Sequence, residues 1–389
     1  MIRAYEGDTL QMYSKWFSVP YELVADANPN VSNELHGGEI ARIPGYDVVT
    51  YHSQTAETLA QIARSVSLPV EALQRMNEDR LLLRIPRRIE TPFVNGKRNY
   101  DFVAMKQDID DLCAYYPFIK QRVIGTSVLG WPLIELTIGC GPKKIHLNAS
   151  FHANEWITTA VIMTFINEYV LRLTSGKLWC GHSLLDYYKK VTLSIVPMVN
   201  PDGVNLVLNG PPDIEPYRSE VLRLNGGNVD FSQWKANIRG VDLNNQFPAK
   251  WEVEQARKIP KAPAPRDFPG FAPLTEPETK AMAALTEESD FAMIVAFHTQ
   301  GKEIYWGYEG FEPIESERIV NELAKASGYQ AVHYIDSHAG YRDWFIQTWK
   351  RPGYTVELGE GVNPLPIEQF DSIYEESLNM LLALLLSIS

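Results

Sequence analysis

A chain of 389 residues, 45% of them hydrophobic, is long enough for one large domain with a sizeable core and a smaller unit besides, and is neither disordered nor fibrous. A formal net charge of −12 with no basic stripe excludes a general nucleic-acid binder, because neutralising phosphates takes clustered Lys and Arg. Cys113, Cys140 and Cys180 are far apart and form no CxxC, so neither a disulfide framework nor a cysteine-ligated zinc is expected, and a reducing compartment fits.

The first residues, Met1-Ile2-Arg3-Ala4-Tyr5-Glu6-Gly7-Asp8, hold no apolar core and no cleavage pattern, so no secretory signal is expected. An internal repeat follows. Thr9-Leu10, Ser18, Pro20 and Asn28 return at one offset as Thr58-Leu59, Ser67, Pro69 and Asn77, and Arg42-Ile43-Pro44 returns as Arg84-Ile85-Pro86 after a shorter loop. Each copy reads as a short strand, two short helices and a closing strand, in the first copy near residues 2–5, 9–17, 20–27 and 39–43. With the Gly7-Asp8-Thr9-Leu10 start and the Asn28-Pro29 step, these units resemble LysM modules. That resemblance implies boundaries of 1–46 and 47–91 and binding of glycans that contain N-acetylglucosamine. The second copy departs, with Thr55-Ala56-Glu57-Thr58-Leu59 at its start, and a docking unit without a ligand is the alternative.

Thr91-Pro92-Phe93-Val94-Asn95-Gly96 carries the punctuation of a linker, after which residues 92–389 form the large domain. The pattern predicts a helix over 101–116, strands over 131–138 and 144–149, and a long helix over 156–173 with apolar residues at three- and four-residue spacing. Strands and long helices continue to alternate, which argues an α/β fold with a mixed sheet and helices on both faces. Sites in such folds gather beyond strand ends. Residues 249–273, rich in prolines and charges, read as a surface loop, either a bland insertion or a wall of a cleft. The leucine-rich stretch 378–388 is too short to cross a bilayer and reads as the apolar face of a last helix, so no membrane span is expected.

Between the strand at 144–149 and the helix at 156–173 stands Phe151-His152-Ala153-Asn154-Glu155-Trp156. A His and a Glu three positions apart at that turn aim an imidazole nitrogen and a carboxylate at one point, and zinc takes such ligands tetrahedrally. A catalytic zinc usually takes three protein ligands and keeps one position for water, so a second His is expected at another strand end. Met293-Ile294-Val295-Ala296-Phe297-His298 supplies it, followed by Thr299-Gln300-Gly301.

Val199-Asn200-Pro201-Asp202-Gly203, then Arg239-Gly240-Val241-Asp242-Leu243-Asn244-Asn245-Gln246-Phe247-Pro248, then His298, then Tyr354-Thr355-Val356-Glu357-Leu358-Gly359 complete an ordered set over residues 96–389. This set resembles the zinc carboxypeptidases of the carboxypeptidase A type, the M14 metallopeptidases. The wording Glu357-Leu358-Gly359-Glu360-Gly361-Val362-Asn363-Pro364-Leu365-Pro366 is most similar to their bacterial γ-D-glutamyl-diaminopimelate endopeptidase branch.

The resemblance implies that His152, Glu155 and His298 ligate one Zn2+, that Glu357 is the general base, and that Asp242 orients His152. The family's electrophilic arginine follows a Trp; here Lys235 follows Trp234, and either Lys235 or Arg239 polarises the carbonyl. Carboxypeptidases of this family hold a terminal carboxylate with an Asn-Arg pair, whereas this chain has Asn244-Asn245, and an amide lacks the cationic fork that grips a carboxylate. Arg342, near where the family builds its side-chain pocket, either pairs with a diaminopimelate carboxylate or forms an ion pair with Asp343 or Asp336. Tyr341 and Gln300 complete the expected substrate contacts, and the family's capping Tyr has no clear match, since the simplest alignment puts Ile335 there with Tyr334 and Tyr341 nearby. The implied activity is hydrolysis of the γ-D-glutamyl bond to meso-diaminopimelate in peptidoglycan stem peptides. The alternatives are a carboxypeptidase that trims the residue after diaminopimelate and a wall-glycan-binding protein with a relict zinc site. A wall substrate without an export signal implies a cytoplasmic enzyme that recycles muropeptides, or one that acts in sporulation.

Overall fold

The Thr, Ser, Pro and Asn positions of the internal repeat each have a structural task in the computed structural model, which describes residues 1–53, 56–78 and 82–387. Thr55, in the departed start of the second copy, and Ile388 lie outside the described residues. The first copy is β1 (Ile2–Arg3), α1 (Leu10–Phe17), α2 (Tyr21–Asp26) and β2 (Ile40–Ala41); the second is β3 (Tyr46–Thr50), α3 (Leu59–Ser65), α4 (Val70–Asn77) and β4 (Arg84–Arg88). Thr9 and Thr58 cap α1 and α3, each hydroxyl accepting an amide from the first turn. Ser18 and Ser67 take the left-handed conformation that ends those helices. Pro20 and Pro69 open α2 and α4. Asn28 clamps its closing strand by donating to Arg42 O at 2.8 Å and accepting from Arg42 N at 2.8 Å, and Asn77 does the same with Arg84. β1 pairs with β2, and β3 with β4, both antiparallel.

The chain divides into two compact units. The first takes in Met1–Val94 together with Asp108–Lys120 and Ile166–Asp186. Within it Arg88 donates to Thr174 O at 2.7 Å, Gly45 N to Tyr115 O at 2.8 Å, and Asn167 Oδ1 accepts from the amides of Phe93 and Val94. The repeats are thus laced to helical segments far along the chain.

The second unit takes in Asn95–Gln107, Gln121–Phe165 and the chain from Tyr187 onward. Along the sequence come α5 (Phe102–Tyr115), β5 (Lys120–Thr126), β6 (Pro132–Ile138), β7 (Lys143–Ala149), α6 (Ile157–Ser175), α7 (Leu184–Lys190), β8 (Val191–Val196), α8 (Pro201–Asn209) and α9 (Tyr217–Leu224). They are followed by α10 (Trp251–Arg257), α11 (Pro277–Ser289), β9 (Met293–His298), β10 (Glu303–Tyr305), α12 (Glu315–Ser327), β11 (Gln330–Val332), α13 (Tyr341–Trp349), β12 (Gly353–Glu357) and α14 (Phe370–Leu386). The sheet runs β11-β10-β12-β9-β7-β8-β6-β5. Its centre, β8-β7-β9-β12, is parallel, and β6 and β10 run antiparallel to β8 and β12. This is the mixed α/β sheet that the alternating pattern predicts. β9 is buried at every position, as a parallel strand covered on both faces should be. Ile294 and Ala296 of β9 pack with Phe151, Met282, Phe247 and Trp344 in one core. All four parallel strands end on the same edge, so whatever follows them converges there.

Candidate active site

Three of those strand ends deliver the predicted ligands and base. β9 ends at His298 and β12 at Glu357, and the register sets these two residues directly opposite each other. β7 ends at Ala149, after which Ser150 turns the chain with φ 51°. Ser150 is tied to the first turn of α6, its amide donating to Thr158 Oγ1 at 3.0 Å and its hydroxyl lying 2.7 Å from Thr159 Oγ1. Between strand and helix a short 3-10 turn over Ala153–Glu155 places His152 and Glu155 on one side. The Asn200-Pro201-Asp202-Gly203 motif supports this loop. Asn200 donates to Phe151 O at 3.2 Å and Ala236 O at 3.1 Å and accepts from Gly203 N at 3.0 Å. A Cβ on Gly203 would come within 2.7 Å of Asn200 and Ala236 atoms, so only glycine fits.

His152 Nδ1 lies 2.8 Å from Glu155 Oε1, His298 Nδ1 lies 2.9 Å from Glu155 Oε2, and the two Nδ1 atoms are 3.1 Å apart. All three residues are buried. Tetrahedral zinc ligands at about 2.0–2.1 Å from the metal stand about 3.3 Å from one another, so this cluster needs only a slight opening to seat the ion.

Asp242 is fully buried, with Oδ1 3.3 Å from His152 Nε2 and Oδ2 2.9 Å from Lys235 Nζ. Burial alone would raise its pKa, but Lys235 and His152 hold the carboxyl well below the usual range. Burial, reinforced by the Glu155 charge, pushes Glu357 up to about 8. Lys235 is raised despite its burial because Asp242 and Asp267 favour its charged form. The site therefore holds a firmly charged ammonium beside a carboxyl group with affinity for a proton.

Two cavities open onto this centre and share His152, Lys235, Tyr305 and Glu357. The first, about 360 Å³, is also lined by Asn154, Gln233, Arg266, Gln300 and Asn363. The second, about 170 Å³, is also lined by Asn244, Asn245, Lys258, Ile335 and Arg342. A wider cavity of about 920 Å³ in the first unit carries none of these side chains.

Lys235 and Arg239, left as alternatives by the sequence, separate clearly. Lys235 lines both cavities, whereas Arg239 lines neither and turns its half-exposed side chain to Glu276 at 3.5 Å. The turn at Asn237, whose Oδ1 accepts the amides of Arg239 and Val241, aims Arg239 away. Tyr341 is also corrected. It is fully buried, its hydroxyl 2.7 Å from Thr286 Oγ1 and its ring against Phe151 and Phe247, so it contacts no ligand space. Arg342, one residue on and about 100° around α13, faces the second cavity instead. It does pair with Asp343, Nε to Oδ1 at 3.0 Å, while Asp336 pairs with Arg257; yet Arg342 Nη1 is buried without a hydrogen-bond partner. Asn244 and Asn245 line the second cavity and Gln300 the first. Of the capping candidates, Ile335 lines the second cavity, whereas Tyr334 donates to Glu312.

Sequence reasoning missed Tyr305, Lys258, Arg266 and Asn363. Tyr305 sits on β10 opposite Thr355, one alternation from the Glu303–Glu357 pair, which a strand prediction for β10 would have exposed. The stretch 249–273, expected as a surface loop, instead contains the helix α10 with Trp251 and Glu254 buried, and its remainder walls the cavities, Arg266 lining the first and Lys258 the second.

Residues 105–380 match the family model described as zinc carboxypeptidase, Peptidase_M14. The chain is 50% identical over 386 residues to gamma-D-glutamyl-L-diamino acid endopeptidase 1 of Lysinibacillus sphaericus, covering 97% of each chain. It is 42% identical over 381 residues to the uncharacterized protein YqgT of Bacillus subtilis, covering 96% of this chain and 95% of the other. Among solved structures, thrombin activatable fibrinolysis inhibitor aligns over 75% of each chain with a TM-score of 0.61 and 18% identity, a likeness of fold alone.

Proposed function

The chain belongs to the zinc carboxypeptidase family, and from that premise we propose that it cuts the γ-D-glutamyl bond to the diamino acid of peptidoglycan stem peptides, L-Ala-γ-D-Glu-|-meso-diaminopimelate. It is a zinc metallopeptidase. The observation that carries the substrate reading is the near-full-length likeness to a γ-D-glutamyl-L-diamino acid endopeptidase. Support comes from the second cavity, where Arg342 keeps a buried donor for a carboxylate that an ordinary dipeptide side chain lacks.

In this reading His152, Glu155 and His298 hold the zinc, which supplies Lewis-acid polarisation and a water of lowered pKa. Glu357, at the end of β12, takes the proton of the attacking water and returns it to the leaving amine. Lys235 donates to the scissile carbonyl oxygen as negative charge develops there. Asp242 fixes the His152 ring through Nε2 and holds Lys235 in place. Asn244, Asn245 and Arg342 receive the diaminopimelate side and Gln300 the acyl side. Arg239 and Tyr341 take no part.

The test is mass spectrometry of L-Ala-γ-D-Glu-meso-diaminopimelate incubated with the zinc-loaded protein. Release of L-Ala-D-Glu and free diaminopimelate is expected. A tetrapeptide trimmed after diaminopimelate beside an intact tripeptide would instead make it a carboxypeptidase, and cleavage of neither would leave a relict site. A substrate with lysine for diaminopimelate, one carboxylate poorer, should react about tenfold more slowly; equal rates would remove Arg342 from its role.

The repeats, taken as units 1–46 and 47–91 before a peptidase domain 92–389, fit glycan-binding LysM-like modules that keep the enzyme on its polymer. Asp8 of the first start is not available to a ligand. It accepts from Tyr5 N and Tyr13 Oη, and pairs with Arg75 of the second copy at 2.6 Å, so the two copies act as one piece. Titration with N-acetylglucosamine oligomers should show saturable binding to the intact chain; none would reduce the repeats to a docking unit. No described helix is long and apolar enough to cross a membrane. The substrate fits muropeptide recycling or wall turnover during sporulation.

A further inference from the structure

A γ-linked glutamyl residue differs from any α-linked one in leaving its α-carboxylate free, a few bonds from the scissile carbonyl on the acyl side. The reading above gives the second cavity, with Arg342, to the diamino acid, so the acyl residue occupies the first. Lys235 and Arg266 are the Lys and Arg side chains that line this first cavity; carboxamides of Asn154, Gln233, Gln300 and Asn363 supply much of the remaining polar wall. Lys235 is committed to Asp242 and Asp267. Arg266 is not so committed: its Nε meets Asp267 Oδ2 at 3.1 Å, and its terminal nitrogens remain for a ligand.

The segment that bears Arg266 is fixed by the same backbone that fixes the catalytic lysine. Pro265 O accepts the amides of both Lys235 and Ala236 at 2.9 Å, Ala264 N donates to Gly240 O at 3.0 Å, and Asp242 N donates to Phe268 O at 2.7 Å. Asp267 adopts φ 65° and its carboxylate spans the two cations, Oδ1 at 3.4 Å from Lys235 Nζ and Oδ2 beside Arg266. A guanidinium anchored through one nitrogen presents a planar fork of donors, the geometry that suits a carboxylate. We propose that Arg266, anchored by Asp267, is the subsite for the free α-carboxylate of the γ-linked D-glutamyl residue; this rests on the function proposed above. Arg266 thus reads the free carboxylate three carbons beyond the scissile carbonyl, a charge that the α-carboxamide analogue lacks.

The experiment compares kcat/KM on L-Ala-γ-D-Glu-meso-diaminopimelate and on its α-carboxamide analogue, for the zinc-loaded wild type, Arg266→Gln and Arg266→Lys. Since the Arg266 side chain is 55% exposed, the substitutions leave the fold intact, and the pair strength is that of a partly solvated charged hydrogen bond. The wild type should prefer the acid by about ten- to fiftyfold. Arg266→Gln should lose most of that preference by slowing on the acid far more than on the amide, and Arg266→Lys should recover part of it. Equal losses on both substrates, or an undiminished preference in Arg266→Gln, would overturn the subsite while leaving the peptidase reading in place. A wild type that cuts neither substrate would overturn that reading and the subsite together.

Discussion

Glu357→Gln is expected to lower kcat by roughly 10³-fold or more, in the upper part of what a positioned acid–base group contributes, while the purified protein retains its full zinc content. The amide has nearly the shape of the carboxylate, so β12 keeps its register with β9 and the cavity keeps its walls. What is lost is the ability to take a proton. Burial and the neighbouring Glu155 already disfavour the charged carboxylate, so exchanging it for a neutral amide removes an electrostatic liability rather than a support. The zinc-free variant should therefore unfold at a temperature no lower than the wild type, which separates a chemical defect from a folding one. Zinc content by atomic absorption, thermal unfolding and product release by mass spectrometry make the check. A fully zinc-loaded variant that retains more than about a tenth of wild-type kcat would remove Glu357 as the base.

His152, Glu155, His298 and Glu357 were legible from the sequence for a physical reason. Each closes a strand or enters the helix after one, and a parallel sheet buried on both faces writes its strands as apolar runs that are easy to see. The repeat was legible because caps, left-handed turns and side-chain clamps demand particular residues at particular places, and both copies meet those demands with the same ones. The irregular segments were not legible. Lys235 and Arg239 lie four residues apart in a stretch without period, and only the Asn237 turn decides which one enters the site. Tyr341 and Arg342 begin a helix, where a phase error of one residue exchanges a core side chain for a cavity-lining one. Arg266 lies in a stretch whose composition fitted a bland insertion and a cleft wall equally, and only the structure shows the carbonyl of Pro265 tying it to the backbone of Lys235.

Lys235→Met should lower kcat/KM by about 10²- to 10³-fold, the usual consequence of removing one donor from a developing oxyanion. The lysine has a second task that the experiment must separate from the first. Its ammonium neutralises Asp242, and without it Asp242 stays buried with His152 as its nearest counter-group, a change that costs about 3–5 kcal/mol in the folded protein when a buried pair loses one partner. The loss falls on zinc retention too, because Asp242 orients the His152 ring. A purely structural lysine would therefore show lower unfolding temperature and weaker zinc binding, with kcat restored once the site is saturated with metal. A lysine that also donates to the carbonyl oxygen leaves kcat depressed at saturating zinc and saturating substrate. Lys235→Arg adds the decisive contrast, since a guanidinium can satisfy Asp242 and still present a donor to the cleft. It should regain stability fully and activity in part. If zinc-saturated Lys235→Met instead turns over within about tenfold of the wild type, the oxyanion is stabilised by other groups and Lys235 is reduced to the anchor of Asp242.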